Sequence, residues 1–235
     1  MEYWVRFPIL QYSTTPVLHV RMVRVKICGI TNIEDARAAV EAGADAVGFV
    51  FAESPRKVDP QTALDVVQRL PPLVSTVGVF ADQDVDEVFR IWKQTNLQFA
   101  QFHGVRGPKR ELLSTGSGFG WYRIIHALRV KSAEDIRQAA ENSSVRACAA
   151  LLLDAHVEGL MGGTGQTFDW DLAIQAKSLG KPIILAGGLT PENVEEAVRK
   201  VRPYAVDVAT GVEASPGKKD HDKIREFIRN AKKPI

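Results

Sequence analysis

The segment Val25-Lys26-Ile27-Cys28-Gly29 sets a thiol two residues beyond an ammonium. Side chains alternate between the faces of a β-strand, so Lys26 and Cys28 share one side. A cation beside a thiol lowers its pKa and makes a thiolate available as base or nucleophile. The bland alternative is an inert buried cysteine packed as a small hydrophobe, and position alone does not separate the two. Cys148 precedes its apolar run and reads as structural. A carboxyl group ends another run, Leu151-Leu152-Leu153-Asp154, ahead of a loop carrying Gly159, Gly162, Gly163 and Gly165. Its apolar approach predicts partial desolvation, which raises a carboxyl pKa and suits a general acid. Asp is also a common cap. The glycine-rich loop that follows, able to close as a lid, favours a site role.

Ala186-Gly187-Gly188-Leu189-Thr190 and Ala209-Thr210-Gly211-Val212 follow the last two apolar runs. Glycine lets backbone N–H groups approach an anion closely, and barrel enzymes commonly bind phosphate with the loops after strands seven and eight. Turn chemistry explains either segment alone; the pair favours phosphate. Arg56, in Ser54-Pro55-Arg56-Lys57, offers a planar fork for a carboxylate, although most loop arginines are merely solvated. His103, in Gln101-Phe102-His103-Gly104, ranks second, because a lone His is more often a hydrogen-bonded structural group. No cluster has metal-ligand spacing, and no Walker motif or nucleophile elbow is present.

These residues sit at the ends of a repeating pattern. Strands are predicted at Val23–Cys28, Ala46–Phe51, Val74–Phe80, Leu97–Phe102, Tyr122–Ala127, Ala149–Asp154, Pro182–Ala186 and Ala205–Val208. Between them lie helical stripes at i, i+3, i+4 and i+7: Ala63, Val66, Val67, Leu70; Val85, Val88, Phe89, Trp92; Val194, Ala197, Val198, Val201. Thr31 with Glu34 reads as a capping box, and Thr190-Pro191 as a cap before a first-turn proline. Eight such units predict an α/β fold, a single (β/α)8 TIM barrel over residues 22–235. An open doubly wound sheet is second, since no strand–turn–helix unit carries its Gly-x-Gly-x-x-Gly fingerprint.

The chain has 235 residues, a length that suits one barrel. Thirty Lys and Arg against 28 Asp and Glu leave a net charge of +2, too even to imply nucleic acid or membrane as a partner. No apolar stretch approaches the roughly 20 residues of a membrane span. The first residues lack the layout of a signal peptide, so the expected location is cytoplasmic with reduced cysteines.

Lys26-Ile27-Cys28-Gly29-Ile30-Thr31, Gly48-Phe49-Val50-Phe51 with Ser54-Pro55-Arg56, and Gln101-Phe102-His103-Gly104 resemble the phosphoribosylanthranilate isomerases of tryptophan biosynthesis. So do Leu153-Asp154 with Gly162-Gly163-Thr164-Gly165-Gln166-Thr167-Phe168-Asp169-Trp170, Leu185-Ala186-Gly187-Gly188-Leu189, and Val206-Asp207-Val208-Ala209-Thr210-Gly211-Val212-Glu213 with Pro216-Gly217-Lys218-Lys219-Asp220. The resemblance implies an Amadori rearrangement of N-(5′-phosphoribosyl)anthranilate to the carboxyphenylamino-deoxyribulose phosphate. It implies no cofactor and no metal. It makes Cys28 the general base and Asp154 the general acid. Arg56 becomes the partner of the anthranilate carboxylate, and Gly188, Thr210 and Gly211 the phosphate cradle, with Asp207 and His103 as supporting contacts. The partner is then a small phosphorylated substrate, and the assembly a monomer or homodimer. Ala209-Thr210 stands where family members often carry Ser; Thr keeps the hydroxyl.

Two other functions compete. A histidine-pathway isomerase acts on a substrate with phosphates at both ends and needs a second cradle where Arg56 and a Ser-Pro turn stand. A catalytically silent phosphate-binding barrel would have lost Cys28 or Asp154. Residues 1–21 lie outside the resemblance: either Met22 is the natural start, or the segment is an arm across the barrel bottom. Deleting residues 1–21 and measuring melting temperature and turnover decides between the two: unchanged values are expected if Met22 is the natural start. A large loss of either would assign the segment to a working arm.

Overall fold

The computed structural model describes residues 22–103, 123–154 and 170–234. Its elements run β1 (Arg24–Cys28), α1 (Ile33–Glu41), β2 (Ala46–Val50), α2 (Pro60–Val67), β3 (Ser75–Phe80), α3 (Val85–Thr95) and β4 (Phe99–His103). They continue with β5 (Ile124–Arg129), α4 (Ala133–Glu141), α5 (Ser143–Ala147), β6 (Ala150–Asp154), α6 (Trp170–Gln175), β7 (Ile183–Ala186), α7 (Val194–Val201) and β8 (Ala205–Val208). A two-stranded hairpin of β9 (Glu213–Ser215) and β10 (Lys218–Lys219) and the helix α8 (His221–Ala231) complete the order.

β1 to β8 form a closed parallel barrel. Closure is carried by β1, which pairs with β2 from Lys26↔Ala46 to Cys28↔Gly48 and with β8 from Arg24↔Ala205 to Ile27↔Val208. That second pairing rules out the open sheet. Period-two alternation divides each strand. Val25 and Ile27, Val47 and Phe49, Leu151 and Leu153, and Val206 face the helices and are fully buried in the outer core. The opposite set fills the barrel: Val77, Ile125, Ala127, Ala150, Leu152, Ile184, Ala186 and Ala205, with Ala46 and Phe99 against them. The helical stripe Val194, Ala197, Val198 and Val201 is buried at every position, as its spacing predicts.

Several local expectations are corrected. The cap of α1 is Asn32, whose Oδ1 accepts from the Asp35 N–H at 2.7 Å; Thr31 instead donates its hydroxyl to the Gly217 carbonyl at 2.7 Å. α7 begins at Val194, so Thr190-Pro191 belongs to the preceding turn, braced by Asn193 Oδ1 on the Thr190 N–H at 2.8 Å. α2 ends at Val67, before Leu70, and starts with Asp59 as cap and Pro60 in the first turn. β5 runs on to Arg129, while Tyr122, residues 1–21 and the glycine-rich segment 155–169 lie outside the described residues. Among the described residues no helix is long and apolar enough to cross a membrane.

Candidate active site

Towards the C-terminal ends of the strands the barrel interior turns from apolar to polar. Lys26 Nζ, with its side chain only 4% exposed, donates to Asp207 Oδ1 at 2.9 Å and to Gln101 Oε1 at 2.9 Å. Burial opposes the lysine charge, but Asp207 and Cys28 outweigh it and hold the ammonium above the ordinary lysine range. An ammonium has only donors, so it fixes Gln101 Oε1 as acceptor and turns the amide NH2 toward His103 Nε2, 2.6 Å away. His103 Nε2 must then accept, which places the ring proton on Nδ1. Burial pushes the imidazole pKa down against the pull of Asp154, in keeping with a neutral ring.

Cys28 ends β1 on the same face, buried at 6% exposure. Its neighbour across the β1–β2 pairing is Gly48, and a Cβ there would stand 2.9 Å from Cys28 Sγ and 3.1 Å from Lys26 Cε. Glycine inside a strand marks just such a close approach. The expected lowering of the thiol pKa does not survive. Burial pushes the thiol up; Lys26 and Lys219 pull it down, Asp207 adds to the rise, and the sum lies above the ordinary thiol value. The cation is present, as its spacing implied, but dehydration of the sulfur wins.

Cys28, Arg56, His103, Asp154, Gly188, Asp207 and Thr210 line one cavity of about 260 Å³ at the mouth of the barrel. Asp154 is half-buried at the end of β6. Gly187 and Gly188 both take positive φ, +81° and +65°, and no atom lies within 4 Å of where a Gly188 side chain would begin. Gly211 does not line the cavity. Its lack of a side chain serves packing between the two loops, since a Cβ would fall 2.0 Å from the Leu189 carbonyl oxygen.

Arg56 reaches this cavity from the β2–α2 loop with half of its fork engaged. Nε and Nη2 donate to Glu213 Oε1 and Oε2, both at 2.7 Å, so Nη1 is not spent on Glu213. Lys219 Nζ adds a third cation contact to Glu213 Oε1 at 3.2 Å and also donates to the Ala209 carbonyl at 3.0 Å.

The family model for N-(5′-phosphoribosyl)anthranilate isomerase matches residues 25–230. The chain belongs to that family. The N-(5′-phosphoribosyl)anthranilate isomerase of Pseudomonas fluorescens is 53% identical, over 88% of this chain and 97% of that protein. The crystal structure of phosphoribosylanthranilate isomerase from Thermotoga maritima superposes with a TM-score of 0.79 at 43% identity, covering 90% of this chain and 99% of that one. A phosphoribosylanthranilate isomerase solved in complex with reduced 1-(o-carboxyphenylamino)-1-deoxyribulose 5-phosphate gives 0.76 at 42% identity, over 90% and 99%. The family is one of enzymes, and its solved members are barrels of the kind seen here.

Four residues of the site's frame were not singled out by sequence reasoning. Gln101 shares a face with His103 by i, i+2 alternation, which is a usable signal. Gly48 interrupts a β-branched and aromatic run, another usable signal. Glu213 and Lys219 belong to strands of three and two residues, too short for any period to show. Gly48→Ala is expected to displace the thiol or the ammonium and cost about 1–3 kcal/mol of stability by overpacking. Chemical denaturation and steady-state turnover together would test this, with turnover falling further than the lost stability explains.

Proposed function

We propose that this chain converts N-(5′-phosphoribosyl)anthranilate into 1-(o-carboxyphenylamino)-1-deoxyribulose 5-phosphate in L-tryptophan biosynthesis, with Cys28 as general base and Asp154 as general acid. The observation that carries this reading is that β1 and β6 present a thiol and a carboxyl group to the same cavity. Along the closed sheet these strands are separated by β7 and β8, so the two groups flank a bound sugar from different sides.

The protonated Asp154 donates to the furanose ring oxygen as the C1′–O bond breaks, leaving a Schiff base between C1′ and the anthranilate nitrogen. The Cys28 thiolate takes the proton from C2′, and the electron pair of that bond neutralises the iminium to give an enolamine. Tautomerisation delivers the ketone. Lys26 stands beside Cys28 where it stabilises the thiolate at each turnover. Arg56 takes the anthranilate carboxylate, while Gly188 and Thr210 receive the phosphate and Gly211 holds their two loops together. Asp207 and the neutral His103 support the sugar from below, both fixed through Lys26 and Gln101. Glu213 behind Arg56 makes this end of the cavity a poor place for a second phosphate, which disfavours a doubly phosphorylated substrate.

Cys28→Ser and Asp154→Asn are each expected to lower kcat by about 10²–10⁴ with the circular dichroism spectrum unchanged. The loss of substrate fluorescence follows the rate; near-normal turnover in either variant would remove that residue from its role. The pH profile follows from the raised thiol pKa. The base works deprotonated, and burial has moved its pKa upward, so kcat/KM should still be climbing in the ordinary thiol range. A plateau below about pH 8 would show a preformed thiolate and contradict the site's electrostatics.

A further inference from the structure

We infer that Glu213 is a positioning residue that makes Arg56 a receptor for one carboxylate and so sets the site's preference for a carboxylated ring. The inference rests on the isomerase reading and extends it to a residue that does not touch the substrate cavity. Arg56 lines that cavity and Glu213 does not, so the carboxylate stands behind the guanidinium. The pair is bidentate at 2.7 Å on both arms, and the Glu213 side chain is only 7% exposed. Such a fork-to-fork contact fixes the plane of the guanidinium as well as its place.

Glu213 is itself clamped. Lys219 Nζ, fully buried, and the Gly217 N–H approach its Oε1 at 3.2 Å and 3.3 Å. The Lys219 N–H is in turn held by Asp35 Oδ2 at 2.9 Å, which ties the hairpin to α1. At its other end the Arg56 side chain lies across Gly29, where a Cβ would stand 2.7 Å from Arg56 Cδ and φ is +74°. The arginine is therefore stopped on both sides, and the edge carrying Nη1 is left for a ligand. The charges agree with this picture. Arg56 and Lys219 carry two positive charges against the single carboxylate of Glu213, an excess of one, which matches one incoming carboxylate.

The test compares two probes on the intact chain: reduced 1-(o-carboxyphenylamino)-1-deoxyribulose 5-phosphate and its counterpart with a plain phenyl ring. Affinities come from calorimetry, and the wild type is expected to prefer the carboxylated probe. Glu213→Gln keeps the shape but offers Arg56 an amide NH2 in place of one acceptor. It should weaken the carboxylated probe by about tenfold or more, leave the phenyl probe within about threefold, and raise KM more than it lowers kcat. Glu213→Asp, which keeps the charge, should recover part of the preference. Equal loss of both probes would mark Glu213 as merely structural and overturn the inference, as would no loss at all. If Glu213→Gln fails to fold, Glu213→Asp alone is the test: its shorter arm keeps the charge but cannot hold both guanidinium nitrogens where Glu213 does, so the preference should fall part of the way while the phenyl probe stays within about threefold. A Glu213→Asp variant with the full wild-type preference overturns the inference. A wild type that binds both probes equally defeats the inference alone. A wild type that binds neither defeats the isomerase reading and the inference with it.

Discussion

Everything at the mouth of this barrel is arranged around an ammonium group buried inside it. Lys26 sits almost wholly out of water in a barrel whose interior is filled mostly by alanine, valine, leucine and isoleucine. Taking a charge out of water is costly, and a buried pair such as Lys26–Asp207 gains little net stability over an apolar pair of similar size. Removing one partner is worse, at about 3–5 kcal/mol, because the other charge is left unmatched. Lys26, Asp207 and Gln101 therefore stand or fall together. Their presence is better understood from above than from below: with Gln101 oriented by Lys26, His103 has one possible proton arrangement, and with Asp207 and Gln101 satisfied the ammonium is held directly beneath Cys28.

The thiol balances two opposed demands. Burial raises its pKa, so at neutral pH the base form is scarce. For the general base proposed here, however, a more basic thiolate is a stronger acceptor for a carbon-bound proton, and efficiency weighs the fraction in the right form against its driving force. Lys26 and Lys219 limit the scarcity, while Asp207 limits how far they can go. Gly48 is the steric condition for this, since any side chain there would occupy the space of the sulfur and the lysine stem.

The barrel itself was legible in the chain. Strands at regular intervals with helical stripes between them specify a parallel α/β sheet, and the alternation within Val25-Lys26-Ile27-Cys28 states which face each side chain takes. The mouth residues were legible too, because strand ends are where such folds place polar and glycine-bearing segments. What escaped was of two kinds. Helix starts at Asn32 and Asn193 moved by one and by three residues from Thr31 and Thr190, since several polar residues in a row can each act as cap and only tertiary contact selects one. For Thr31 that contact is the Gly217 carbonyl, more than 180 residues away. The sign of the Cys28 shift also escaped, because a neighbouring cation is visible in sequence whereas the degree of dehydration is a property of the closed barrel.

The β9–β10 hairpin shows how a short element can matter more than its length implies. It makes no barrel contact by pairing, yet its Glu213, Gly217 and Lys219 touch the loops after β1, β2 and β8 through Thr31, Arg56 and the Ala209 carbonyl. Lys26, Lys219 and Arg56 each favour charge on Cys28, and among them stand the carboxylates of Asp207 and Glu213. Burial and Asp207 oppose that pull, so the cations limit the rise of the thiol pKa without reversing it. The hairpin supplies one cation and one carboxylate of that set, so Arg56 and the electrostatics around Cys28 are held through the same short hairpin. A change in the hairpin would therefore be felt at both places and, through the Lys219 bond to the Ala209 carbonyl, at the loop after β8, while the loop after β7 keeps its own brace in Asn193.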